Sequence, residues 1–113
     1  MIEGRVDLRA WAAEFRPILE RRGDDVLRAE SVWLEGSGRE ALVRALAVES
    51  GRRQAFYVLV SAHDARTTVR IDPLTRPERS DGVRALVARV AADVLARSPG
   101  ARLGATNLVL PSP

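Results

Sequence analysis

Residues 26–48 read VLRAESVWLEGSGREALVRALAV, and they decide the fold. On either side of Gly36-Ser37-Gly38, apolar and polar side chains alternate with the period of two that a half-buried strand requires. Glycine accepts the left-handed backbone of a short hairpin loop, so the stretch predicts two antiparallel strands, 25–35 and 39–49. Two more runs rich in β-branched and aromatic residues follow, at 54–62 and 67–72, separated by equally short polar breaks. Connections this brief force neighbours to run antiparallel, which makes the four strands a meander.

Helices are expected on both sides of it. Leu8, Trp11, Phe15, Ile18 and Leu19 recur at helical spacing over 7–22, with Asp7 as N-cap and Pro17 as an internal kink. Val83, Leu86, Val87, Val90, Val94 and Leu95 make a second apolar stripe over 81–97, capped by Ser80 or Asp81 and ended by Ser98-Pro99-Gly100. The expected fold class is therefore α+β, two-layer: a four-stranded antiparallel meander with the N-terminal and C-terminal helices on one face. Leu108-Val109-Leu110 leave room for a fifth edge strand near 106–110. Residues 6–100 read as one domain and 101–113 as a tail or edge strand. Residues 1–5 contain Ile2-Glu3-Gly4-Arg5, the recognition tetrapeptide of a tag-removing protease, and are given no functional weight.

Turn lengths set an expected register. Pairing Glu49 with Gln54 places Ala47, Ala45 and Val43 against Phe56, Val58 and Val60. The next loop places Val60 against Val69 and Val58 against Ile71. Leu27, Ala29 and Ser31 join this side, as does Trp33, read with Trp11 as a core anchor. This face is apolar, rich in small residues, and suits the helices. The other face carries Val26, Arg28, Glu30, Val32, Leu34, Leu42, Arg44, Leu46, Val48, Tyr57, Leu59 and Arg70. In this register Glu30 faces Arg44, Arg44 adjoins Leu59, and Leu59 adjoins Arg70. So many large apolar residues on an uncovered face call for a cover, since a monomer seldom exposes a contiguous apolar patch beyond a few hundred Å².

Composition narrows the function classes. All 18 basic side chains are arginine and none is lysine, which excludes lysine Schiff bases and a P-loop lysine. Arginine in place of lysine also lifts the pI to about 10.8 although the formal charge is only +3. Without cysteine there is no disulfide and no thiolate site. The one histidine, His63, sits beside Asp64 in a hairpin turn and reads as solvated. Asp24 and Asp25 read as turn residues, and the carboxylates show no metal-ligand spacing. No apolar run approaches the ~20 residues of a membrane helix, which points to a cytoplasmic protein.

These observations lead to a small non-catalytic protein-interaction module of the adaptor, chaperone or neutralising type, with no cofactor and no metal. Its expected binding residues are Arg28, Glu30, Arg44, Leu46, Tyr57, Leu59 and Arg70, on the face the helices leave open. Homodimerisation through that face is the simplest form, and another protein the next. The alternative is single-stranded nucleic-acid binding on the same face, with Tyr57 stacking a base and the arginines holding phosphates.

Overall fold

The computed structural model describes residues 1–104. The expected edge strand near 106–110 lies outside the described residues. The chain is mostly sheet: seven antiparallel strands curl into a half-barrel, accompanied by two short helices, not the four-stranded two-layer meander that periodicity predicts. In chain order the elements are β1 (Ile2–Glu3), α1 (Leu8–Glu14), β2 (Ile18–Arg22), β3 (Asp25–Leu34), β4 (Glu40–Glu49), β5 (Arg52–His63), β6 (Arg66–Ile71), α2 (Asp81–Ala96) and β7 (Arg102–Leu103). Across the sheet the order is β2-β3-β4-β5-β6-β1-β7.

The expected helix over 7–22 is cut in two by Pro17. A proline ring disfavours helical backbone at the residue before it and brings no amide of its own. The helix stops at Glu14, Phe15 turns extended (φ −58°, ψ 132°), and β2 begins one residue after the proline. Ile18 then points into the core, while Leu19 points out and is 54% exposed. Asp7 caps α1 by accepting from the Ala10 amide at 3.1 Å.

The chain's ends supply the remaining strands. Ile2 lies opposite Thr67 on one side and Leu103 on the other, and is buried. Gly104 N–H donates to the Met1 carbonyl at 2.8 Å.

Two local features set the register. Ser50 and Gly51 both take positive φ (51° and 77°), so β4 and β5 join through a two-residue turn that pairs Glu49 with Arg52, not Gln54. Such turns match the right-handed twist of the strands. The shift is two residues, so every side chain keeps its face, but Arg44 now opposes Tyr57 and Leu59 opposes Leu42. Asp64 (φ 53°) opens the next turn, and Val60 does oppose Val69, and Val58 Ile71.

The second feature is a β-bulge between Ala29 and Ser31. Beyond the glycine loop Leu34 pairs with Ala41, one residue later than a three-residue loop gives, and the bulge absorbs the extra residue. Every residue from 31 to 34 therefore changes face relative to expectation. Val32 and Leu34 turn in and pack on the core, whereas Trp33 turns out and is 50% exposed.

Ala29, Ala41, Ala45 and Ala47 are buried on the covered face, and such small side chains let helices approach closely. Val83, Leu86, Val90 and Val94 of α2 fill the space between them, together with Phe56, Val58 and Val60. Trp11 ties the two helices: its indole N–H donates to Asp93 Oδ2 at 2.9 Å. Trp11→Phe is expected to destabilise the protein by about 1–2 kcal/mol, because a part-buried carboxylate loses a donor. A lower urea midpoint with unchanged slope is the expected reading, and an unchanged midpoint contradicts it.

Candidate functional site

The sheet face away from the helices is organised in rows set by the register. Arg21, Val26, Val48 and Arg53 lie side by side in the first row. Leu19, Arg28, Leu46 and Ala55 follow in the second. Arg44 and Tyr57 come next, beside bulge residues Glu30 and Ser31, and then Trp33, Leu42, Leu59 and Arg70. All seven residues expected from the sequence to form a binding face thus belong to this side. The expected contact of Glu30 with Arg44 is replaced: Ser31 takes the place opposite Arg44, and among the described residues Glu30 makes no ion pair.

Trp33 is the residue sequence reasoning assigned to the core. Its ring lies 5.7 Å from that of Tyr57, tilted by 47°. Aromatic pairs at such separations contribute beyond their buried area. The backbone under Tyr57 is pinned by the turn after β6. Asp72 N–H donates to the Tyr57 carbonyl at 2.8 Å, and the Tyr57 amide donates to Thr75 Oγ1 at 3.3 Å. The aromatic pair therefore sits on well-anchored strands.

Electrostatically the face is one-sided. Arg21, Arg28, Arg44, Arg53 and Arg70 project from it, against Glu30 in the bulge, Glu40 at the start of β4 and Asp72 opposite Tyr57. Among the described residues none of these five guanidinium groups makes an ion pair or hydrogen bond. The arginines that do find carboxylates are Arg22, Arg52, Arg97 and Arg102.

A second cluster forms because β5 runs on to His63, the residue the sequence places in a turn. Ser61 and His63, two apart on β5, share a face, and Ser61 Oγ lies 3.1 Å from His63 Nε2. The same hydroxyl is 3.4 Å from Glu40 Oε2. A serine beside an imidazole is the pairing used in nucleophilic catalysis. Here Ser61 is only 8% exposed, and neither of the two clefts described next includes it or His63.

The larger cleft, about 650 Å³, runs between the segment before α1 and two hairpin loops, lined by Arg5, Asp7, Arg9, Gly38 and Asp64 among others. Arg9 closes one wall by donating to the Gly36 carbonyl at 2.6 Å. In the adjoining loop the Ser37 hydroxyl and amide both donate to the Glu35 carboxylate, which holds that carboxyl below its ordinary pKa. The smaller cleft, about 250 Å³, is lined by residues 71–79. Both mix charges without converging on one chemistry. Among the described residues no group of His, Cys, Asp or Glu is placed to hold a metal ion, and no helix is long and apolar enough to cross a membrane.

No family model, no curated protein and no solved structure matches this chain. Function is therefore argued from the face alone.

Proposed function

We propose that this protein is a non-catalytic protein-binding module, acting in the cytoplasm through the uncovered face of its sheet. The observation that supports it is the outward Trp33, seated against Tyr57 and continuous with Leu19, Leu42, Leu46 and Leu59. Trp33 and Leu19 are about half exposed, and Trp, Tyr and Arg are the side chains that most often anchor protein interfaces. Arg28, Arg44 and Arg70, interleaved with them, orient the partner.

Parallel capture with wild type, Tyr57→Ala and Leu59→Arg tests this reading, after circular dichroism and unfolding midpoints show that the variants fold. A defined protein, or a second copy, retained by wild type and lost by both variants is the expected result. Single-stranded nucleic acid retained and lost in the same pattern points to the stacking alternative and ends the protein reading. Identical behaviour of all three proteins ends it as well.

A further inference from the structure

We infer that the occupant of this face is an acidic amphipathic segment of another protein, with carboxylates and apolar side chains on the same side. The inference rests on the protein-binding reading and names its partner's chemistry.

Charge provides the first argument. Arg21, Arg28, Arg44, Arg53 and Arg70 lack any anionic partner among the described residues, and outnumber Glu30, Glu40 and Asp72, the carboxylates the register brings to the same side. A second copy set against this face by a two-fold axis brings the same excess of arginine against itself. Like charges placed together across an interface cost several kcal/mol. The chain's own last residues, 105–113, contain no Asp or Glu and so bring no acidic side chain to neutralise the face.

Spacing provides the second. Arginine and apolar side chains alternate across the strands: Arg28 lies between Leu19 and Leu46, Arg53 beside Val48, Arg70 beside Leu59. Neighbouring strands are about 4.8 Å apart, so each carboxylate of an incoming segment has an apolar contact within one strand's width. A nucleic-acid strand offers phosphates to the arginines, but its bases bind best on aromatic rings, and this face carries two of those against the four leucines Leu19, Leu42, Leu46 and Leu59. The two rings, tilted into each other at 5.7 Å, already use part of their stacking surface.

Size is the third. Five strands about 4.8 Å apart, β2–β6, and four rows of same-face residues about 7 Å apart cover roughly 650 Å². A standard interface takes about 800 Å² from each partner, so the face is wide enough to seat a whole segment without contacts beyond its own rows.

Trp33 is a built-in reporter, since Trp11 is buried. The test titrates a short Glu/Leu peptide of repeating Glu-Ser-Leu-Ser, whose Glu and Leu share one side of an extended chain, and follows tryptophan fluorescence at low and high salt. Oligoglutamate of equal charge and oligothymidylate of equal length serve as competing probes, and light scattering gives the mass. The expected result is salt-sensitive binding of the Glu/Leu peptide, tighter than either competitor. Arg44→Glu and Arg28→Glu should each weaken it by at least about tenfold, since the reversal sets like charges together across the contact. Trp33→Ala, read with a labelled peptide, should weaken it comparably. Oligoglutamate binding as tightly as the Glu/Leu peptide overturns the inference, because the apolar rows then contribute nothing. Oligothymidylate binding more tightly overturns both the inference and the protein reading. No binding of any probe overturns the inference alone, and a salt-resistant dimer lost in Leu59→Arg then leaves the protein-binding reading standing.

Discussion

Phe56→Ala is expected to cost about 3–5 kcal/mol of folding stability, the usual range for emptying a buried aromatic site. Phe56 is 2% exposed, opposite Ala45 on the covered face, in one cluster with Leu27, Val58, Leu86 and Val90. Alanine neighbours reach too short a distance to collapse into the space it leaves, so most of the cavity penalty persists. A domain of this size has roughly 5–15 kcal/mol in total, and the variant should be close to unfolding at physiological temperature. Trp33→Ala, one strand pair away and larger in volume, should change stability by about 1 kcal/mol or less, because half of its surface is already in water. Urea unfolding of both variants, followed by circular dichroism, makes the comparison. Equal losses for the two contradict the assignment of the two faces, and with it the reading of Trp33 as a binding residue.

The contrast between these aromatics also marks where the sequence is legible. Period-two alternation in 26–48 and 54–71 identifies the strands and separates the two faces, because burial of one side of a sheet leaves a direct chemical trace. The β5–β6 register follows from loop length for the same reason. Trp33 is misplaced because a bulge inserts one residue without any composition signal: Glu30 and Ser31 look like ordinary strand residues. The β4–β5 register slips by two because Ser50 carries a positive φ that its side chain does not advertise. The run from Leu8 to Leu19 satisfies helical spacing on both sides of Pro17, and only the backbone rule for the residue before proline shows that it must break. Strands β1 and β7 are two residues each, too short for any period, and their partners are far away in the chain. Ser61 and His63 were within reach, since two residues apart on a strand means the same face. The residues proposed to bind share one face through the same alternation, whereas the gathering of unpaired arginines on it depends on the register of strands distant in sequence.

A double-mutant cycle at the start of α2 carries the second large effect, and its sign depends on background. Ser80 caps the helix, accepting from the Val83 amide at 3.3 Å, and its hydroxyl donates to Glu49 Oε1. Glu49 Oε2 accepts from the Gly82 amide at 3.0 Å. The carboxylate thus fastens the end of β4 to the positive end of the helix, where anions are favoured. Glu49→Ala is expected to cost about 2–3 kcal/mol, since two part-buried donors lose a charged acceptor. A Cβ added at Gly82 would lie 2.5–2.8 Å from the Glu49 carboxylate, so Gly82→Ala has to expel that group and forfeits much the same hydrogen bonds. Its cost should therefore be about 1–2 kcal/mol, the loss offset in part by alanine's better helix propensity. Once Glu49 is alanine the obstruction is gone and only the propensity remains. Gly82→Ala in that background should then stabilise the protein by up to about 1 kcal/mol. Additive losses in the double variant contradict the lock, because two substitutions that remove the same contact cannot each cost it twice. The lock also bears on the uncovered face, for Val48 and Leu46 precede Glu49 on the same strand and are presented by a β4 whose end this carboxylate holds in place.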